Sequence, residues 1–182
     1  MSIEVIIGPM YSGKTSELSR ILNRYIICKK KCVIISNDRD DRYNKNFIST
    51  HDGNKIPNNY LYLQTNSLND IKNKITIFDI IGIDECQFFE SEDLFTFCDT
   101  LANMGKNIIV SGLVNDFNKN PFISTLKLLS IADKISKLNS ICKFCCKEAS
   151  FTMKKFNKNT IIEVGGSELY NPVCRKCYNN II

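Results

Sequence analysis

Near the start of the chain, Gly8-Pro9-Met10-Tyr11-Ser12-Gly13-Lys14-Thr15 fits the pattern G-x-x-x-x-G-K-[ST]. Each end of that pattern has a chemical reason. Glycines let successive backbone N–H groups curl around phosphate oxygens, and a helix beginning after Gly13 would aim its positive pole at them. Lys14 would reach the β- and γ-phosphates, and the Thr15 hydroxyl would bind Mg²⁺. The run Phe78-Asp79-Ile80-Ile81-Gly82-Ile83 then ends in two adjacent acids, Asp84 and Glu85. An acid at the tip of a strand beside a phosphate loop helps hold Mg²⁺, often through its water shell, and Asp84 fits that role. Glu85, one residue on, faces another direction and is free to accept a proton or position a nucleophile.

A second constellation lies near the other end. Cys142, Cys145, Cys174 and Cys177 form C-x₂-C-x₂₈-C-x₂-C, two turns that each present a thiolate pair, the arrangement of a tetrahedral structural Zn²⁺ site. The gap between the pairs exceeds the usual ribbon spacing, and a hairpin would fill it. Four protein ligands leave no open position, so this zinc is expected to be structural. The total of nine cysteines is odd, which argues against a disulfide framework. Cys28, Cys32, Cys86, Cys98 and Cys146 read as ordinary reduced thiols, the pattern of a cytosolic protein. His51 is the only histidine, so no histidine-based triad can form. In the polar stretch around it, Arg39 and Arg42 are candidates for a charge clamp on phosphates.

These groups need elements to carry them. Ile3 to Ile7 is a β-branched, apolar run of the kind found in buried parallel strands. From Thr15 to about Lys30, Leu18, Ile21, Leu22, Tyr25 and Ile26 recur at helical spacing. Further strands are expected at Cys32–Ser36, Ile77–Ile83, Asn107–Ser111 and Lys134–Ile141, with helices at Leu94–Met104 and Phe122–Ala132. Asn37–Asn59 and Val114–Pro121 are polar and read as loops. Alternating strands and helices imply a parallel sheet, because a crossover helix must link parallel neighbours. The expected fold is therefore α/β, a P-loop NTPase-like parallel sheet flanked by helices over residues 1–141. A small zinc-ribbon-like domain follows over 142–182.

Composition agrees with this reading. With 43% hydrophobic and 24% charged residues, the chain is excluded from the disordered, collagenous and mucin-like classes. Its longest apolar runs fall far short of the roughly 20 residues of a membrane span. The opening Met-Ser-Ile-Glu leads directly into the first strand, leaving no room for a targeting peptide, so a soluble intracellular protein is expected. The net charge of +5 permits phosphate-bearing partners without requiring them. Lys29, Lys30 and Lys31 read as a solvated face beside the negative pole of a helix.

Further motifs appear in a recognisable order: Asp40-Asp41-Arg42-Tyr43, Thr50-His51-Asp52, Asp84-Glu85-Cys86-Gln87-Phe88-Phe89, Asn120-Pro121-Phe122, Val164-Gly165-Gly166, and Tyr170 through Cys174-Arg175-Lys176-Cys177-Tyr178. Together with the phosphate loop they resemble the type II thymidine kinases, the zinc-bearing group of animals, bacteria and large DNA viruses such as poxviruses. The resemblance covers nearly the whole chain. It implies phosphoryl transfer from Mg-ATP to the 5′-hydroxyl of thymidine, with Glu85 as general base and Arg42 neutralising charge on the moving phosphoryl group. It implies that Leu113–Phe122 is a loop closing over the nucleoside, with Phe117 stacked on the thymine and Phe122 behind it. Met10, Phe88, Leu113, Thr152 and Tyr170 would line the pocket. The stretch Ile161, Ile162, Glu163, Val164 and Gly165 would bind thymine through backbone groups. A homotetramer, a cytoplasmic location and feedback inhibition by thymidine triphosphate are implied as well.

Two departures stand out. Cys86 occupies a position that is often Gly in the family. The nucleoside loop begins Leu113-Val114-Asn115 where Leu-Asp-Gly is usual. Asn can adopt positive φ in place of Gly, but the lost acid removes an expected loop anchor, and base preference could be broader than thymidine. Without the family pattern, Phe88, Phe89, Phe117 and Phe122 would read as core aromatics. The rival reading is a zinc-ribbon P-loop ATPase or nucleic-acid-binding module. Glu148, Glu163 and Glu168 around the cysteines and the lack of a second motor domain weigh against it. Steep salt dependence of DNA binding would separate the two.

Overall fold

The computed structural model describes residues 1–39, 60–155 and 169–181, with the backbone of three short strands between 43 and 57. In chain order, β1 (Ser2–Ile7), α1 (Lys14–Ile27) and β2 (Cys32–Ser36) come first. The short strands β3 (Tyr43–Asn44), β4 (Phe47–Ser49) and β5 (Lys55–Pro57) precede β6 (Leu61–Gln64) and the single turn α2 (Lys72–Ile75). Next come β7 (Ile80–Ile83), α3 (Ser91–Asn103), β8 (Asn107–Gly112), α4 (Ile123–Leu129) and β9 (Lys134–Lys137). Last in chain order are β10 (Ser140–Ile141), β11 (Glu148–Ala149), β12 (Phe151–Lys154), β13 (Tyr170–Val173) and α5 (Arg175–Ile181).

Six strands form one sheet in the order β6-β2-β7-β8-β1-β9, every pair parallel. The period-2 geometry of a strand sends alternate side chains to opposite faces, and both faces are apolar here. Ile3, Val5, Ile7, Val33, Ile35, Ile81, Ile83, Ile108 and Val110 pack with Leu94, Phe97 and Leu101 of α3 on one side. Ile6, Ile34, Ile80 and Ile109 pack with Leu18, Ile21 and Leu22 of α1 on the other. Helices over both faces explain the near-continuous apolar strands. Because all six strands are parallel, the loops after β1, β7 and β8 emerge at the same edge of the sheet, where ligands bind in open α/β folds.

Local chemistry sets the helix ends. Helix α3 starts where the Glu90 carboxylate accepts hydrogen bonds from the N–H groups of Glu92 (2.9 Å) and Asp93 (2.8 Å), satisfying donors that a first turn leaves open. After α1, Lys29 takes a left-handed conformation (φ 58°). Its N–H donates to the Ile26 carbonyl and that of Lys30 to Tyr25, a helix-stop pattern. Lys29, Lys30 and Lys31 are exposed, as a solvated helix end requires.

The structure differs from the sequence reading at several elements. Asn37–Asn59 contains backbone strands β3, β4 and β5 paired antiparallel, not a structureless loop. The edge strand β6 and the final helix α5 were not foreseen. The expected strand Lys134–Ile141 is two strands belonging to different sheets, β9 beside β1 and β10 beside β11. After Ile141 the alternation stops, as expected. There, small antiparallel pairs β10-β11 and β12-β13 enclose a separate apolar cluster of Cys142, Ala149, Val173 and Tyr178.

Candidate active site and cysteine cluster

The phosphate loop follows β1. A side chain at Gly8 would have no room: its Cβ would lie 2.5 Å from Ser12 Oγ and 2.6 Å from the Leu138 carbonyl oxygen. Gly13 holds φ at 80° immediately before α1, a conformation that glycine adopts without steric cost. Ser12 Oγ and Lys14 Nζ both donate to the Pro9 carbonyl at 2.8 Å, so the loop closes on itself. Ser140 Oγ reaches in from β10 to donate to the Tyr11 carbonyl at 3.1 Å.

Asp84 stands at the end of β7 and is fully buried. Thr15 Oγ1 donates to its Oδ2 at 2.9 Å, and the Ser111 hydroxyl at the end of β8 donates to its Oδ1. The fold thus brings Thr15 and Asp84, 69 positions apart in the sequence, to one point. Their oxygens form a hard donor set suited to Mg²⁺, and Lys14, also buried, is the one cationic side chain of the phosphate loop. Glu85 follows in the left-handed region (φ 49°, ψ 50°). A non-glycine residue there costs of order 1–3 kcal/mol, and such strain clusters at functional sites. Glu85 is buried, and its Oε2 accepts a hydrogen bond from Gln87 Nε2 at 2.5 Å. Gln87 Oε1 in turn accepts from the Leu113 N–H at 3.0 Å.

Of the residues expected around a nucleoside, two pairs are in contact. The Met10 N–H donates to Thr152 Oγ1 at 3.0 Å, both residues being buried. In the β12-β13 pair Thr152 faces Pro172 and Lys154 faces Tyr170, which puts Thr152 and Tyr170 on the same face of the ribbon. The Phe117 ring lies 6.4 Å from that of Tyr170, with Lys154 Nζ 5.4 Å above it. Met10 thus meets Thr152, and Phe117 meets Tyr170. Leu113 connects instead towards Glu85 through Gln87. Phe88 and Phe122 are half-buried; the Phe88 carbonyl accepts from Asn37 Nδ2 at 3.4 Å, and Phe122 caps α4. Arg39 is exposed. Arg42, His51, Ile161, Ile162, Glu163, Val164 and Gly165 lie outside the described residues.

The loop between β8 and α4 replaces its expected anchor in an unforeseen way. Asn115 does not take positive φ; Lys119 does, at 68°. The missing acid is made good two residues on by Asp116, which is buried. Its Oδ1 accepts from the N–H groups of Asn118 and Asn120, both at 2.8 Å, and its Oδ2 accepts from Asn120 Nδ2 at 3.1 Å. The neck closes where the Phe122 N–H donates to the Val114 carbonyl at 2.8 Å and Asn115 pairs with Pro121. Asp followed by Asn at short spacing is an Asx-turn signal, so Asp116 was findable. Ser111 and Tyr178 carried no such mark.

The four expected cysteines do come together. Their sulfurs lie within 4.8 Å of one another, the one such metal-capable group among the described residues, and Cys145 and Cys174 are 3.6 Å apart. Tetrahedral zinc with Zn–S bonds of about 2.3 Å requires sulfurs about 3.8 Å apart, so the cluster fits Zn²⁺. Cys174 Sγ accepts from the Cys177 N–H at 3.4 Å, a bond within the second knuckle. Cys86 and Cys98 are buried, and burial pushes the Cys86 thiol up to about 12. Both are free thiols packed in the core.

A residue beside the cysteine cluster reaches the loop between β8 and α4. Tyr178, next to Cys177, donates from its hydroxyl to the Phe117 carbonyl at 2.7 Å. Lys119 Nζ sits 3.7 Å from the centre of the Tyr178 ring and 5.2 Å from that of Phe151, within cation–π range.

A parallel six-stranded sheet with a phosphate loop after its first strand, a buried acid at the tip of another strand and an appended Cys₄ cluster defines a P-loop NTPase-like protein with a C-terminal part whose cysteines can hold zinc. The crystal structure of the flagellar accessory protein FlaH from Methanocaldococcus jannaschii superposes with a TM-score of 0.56 at 14% identity, covering 81% of this chain and 74% of that one, a likeness of fold. The family model for thymidine kinase matches residues 1–178. The chain is 62% identical to the thymidine kinase of Choristoneura fumiferana entomopoxvirus, over 98% of this chain and 97% of the relative. It is 59% identical to that of Amsacta moorei entomopoxvirus over 99% of each. Identity to that of vaccinia virus strain Ankara is 44%, over 97% of this chain and 96% of the relative. The chain belongs to the thymidine kinase family.

Proposed function

We propose that the protein transfers the γ-phosphoryl group of ATP to the 5′-hydroxyl of thymidine, giving thymidine monophosphate and ADP. The observation that carries this reading is the placement of Glu85. It directly follows Asp84, which contacts the phosphate loop through Thr15, and is bonded through Gln87 to the root of the loop that reaches Phe117.

In this reaction the backbone N–H groups of residues 8–15 and the Lys14 ammonium bind the phosphates of ATP, Lys14 exchanging the Pro9 carbonyl for a phosphate oxygen. Thr15 and Asp84 are the residues that would hold Mg²⁺, which, when bound, neutralises charge on the β- and γ-phosphates. The Glu85 carboxylate orients the thymidine 5′-hydroxyl and accepts its proton as the oxygen bonds to phosphorus. The bond from phosphorus to the bridging oxygen breaks, and its electron pair leaves with ADP. Arg42 would neutralise charge on the transferring group. Phe117 stacks on the thymine, backed by Phe122, while Met10, Phe88, Leu113, Thr152 and Tyr170 close the pocket and residues 161–165 contact the base through their backbone. Most of the acceleration comes from holding the groups in line in a water-poor site.

Cys142, Cys145, Cys174 and Cys177 hold a structural zinc in a C-terminal domain, 142–182, set against the nucleotide-binding domain, 1–141. The family resemblance further supports a homotetramer working in the cytoplasm, inhibited by thymidine triphosphate and without nucleic-acid or membrane partners. Among the described residues no helix is long and apolar enough to cross a membrane. Glu85→Gln tests the core of this reading: turnover should fall by about 10²–10⁴ while ATP binding, measured by calorimetry, is retained. Near-normal turnover would remove Glu85 as the base.

A further inference from the structure

Gln87 was given no role by the sequence pattern, yet its amide sits between the two halves of the site. Nε2 donates to Glu85 Oε2 at 2.5 Å, and Oε1 accepts from the Leu113 N–H at 3.0 Å. The orientation of the amide is fixed by chemistry. An ionised carboxylate only accepts and a backbone N–H only donates, so the nitrogen must face Glu85 and the oxygen Leu113. Glutamate at this position would lack the donor, and leucine would lack both groups.

The surroundings allow little slack. Gln87 is buried. The Leu113 carbonyl is held as well, accepting from Thr125 Oγ1 at 2.8 Å, and the same hydroxyl lies 3.5 Å from Cys86 Sγ. Beneath the amide, a Cβ on Gly112 would come within 2.4 Å of Cys86 Sγ and 2.9 Å of Gln87 Oε1. Only glycine lets the end of β8 approach the turn that carries Glu85. Cys86 fills the remaining space, with its thiol kept neutral by burial. The side chain of Glu85, on a backbone already in the left-handed region, is thus set by a bond from a residue that is itself anchored to the nucleoside loop.

We propose that Gln87 is a positioning residue for phosphoryl transfer. It orients the Glu85 carboxylate through Oε2 and ties that orientation to the seating of Leu113, so that the base is aligned when the nucleoside loop is in place. This rests on the reading of Glu85 as the base, and the test separates the two.

Turnover of thymidine with ATP is measured for the full chain as wild type, Gln87→Leu, Gln87→Glu, Glu85→Gln and Gln87→Leu combined with Glu85→Gln. Gln87→Leu should lower kcat by on the order of tenfold to a hundredfold, the worth of a hydrogen bond to a charged group, with KM for ATP unchanged. Gln87→Glu keeps the acceptor for Leu113 and should lose kcat to a similar extent while thymidine binding persists, which also covers the case in which Gln87→Leu fails to fold. In the Glu85→Gln background, Gln87→Leu should cost less than about twofold, because a residue acting through Glu85 has nothing left to position. The same loss in both backgrounds would make Gln87 merely structural and overturn the proposal, as would wild-type kcat in Gln87→Leu or Gln87→Glu. If Glu85→Gln alone keeps wild-type turnover, the base assignment falls and the proposal falls with it.

Discussion

A carboxylate cut off from water is tolerated only where its oxygens are satisfied, and Asp84 meets that condition through the hydroxyls of Thr15 and Ser111. Ser111→Ala removes one of these donors. We expect a stability loss of about 1–3 kcal/mol, read from urea unfolding at equilibrium; an unchanged midpoint would mean that the bond contributes nothing. Lys14→Ala should lower kcat/KM for ATP by about 10²-fold or more, since no other residue of the phosphate loop is positively charged; a normal value would refute the phosphate-loop reading. At this scale the sequence was most legible where spacing along the chain decides geometry. Gly8 to Thr15 is one continuous turn, and two C-x-x-C knuckles preset their own sulfur pairs. Ser111 was not legible. It meets Asp84 only because β7 and β8 pair in register with Ile83 beside Val110, which no local pattern records.

Among the elements, the loop from Leu113 to Phe122 shows how a departure from a family pattern can be compensated nearby. Its anchor moved to Asp116, and its one left-handed residue is Lys119, not Asn115. Asp116→Ala strips three acceptor contacts from the turn. It should raise KM for thymidine by about tenfold or more while KM for ATP stays within about twofold. Equal effects on both substrates would indicate general unfolding and not a loop effect. Alternation along Leu61-Tyr62-Leu63-Gln64 was present in the sequence, but the polar stretch before it masked a strand whose partner, β2, lies far back in the chain. Lys134–Ile141 read as one strand because its residues suit extended structure throughout. Its division follows from tertiary placement, with Lys134–Lys137 completing the large sheet and Ser140–Ile141 turning away to pair beside the cysteines.

For the whole molecule, the bond from Tyr178 to the Phe117 carbonyl links the segment beside the cysteine cluster to the loop proposed to close over the nucleoside. Metal analysis should find about one zinc per chain. Stripping it with a chelator should loosen α5, release Tyr178 and raise KM for thymidine well before ATP binding is affected, because the phosphate loop is built on β1 and α1. Tyr178→Phe, which keeps the ring under Lys119 but removes the hydroxyl, should reproduce part of that rise, about fivefold. A zinc-free protein with wild-type stability and thymidine affinity would contradict this coupling. The α/β plan was legible because a parallel sheet covered on both faces writes itself as apolar strands alternating with amphipathic helices. Contact between α5 and the loop before α4 was not, since no motif links Tyr178 to Phe117, 61 positions earlier.

The most direct test is transfer of labelled γ-phosphate from ATP to each of the four deoxynucleosides by the zinc-loaded protein, with Glu85→Gln as control. Rapid labelling of thymidine at its 5′-position, absent from the control, is the predicted result, and labelling of the other three would measure how far the Val114-Asn115 departure relaxes selectivity. Failure of the folded, zinc-loaded protein to label any nucleoside would contradict the assignment.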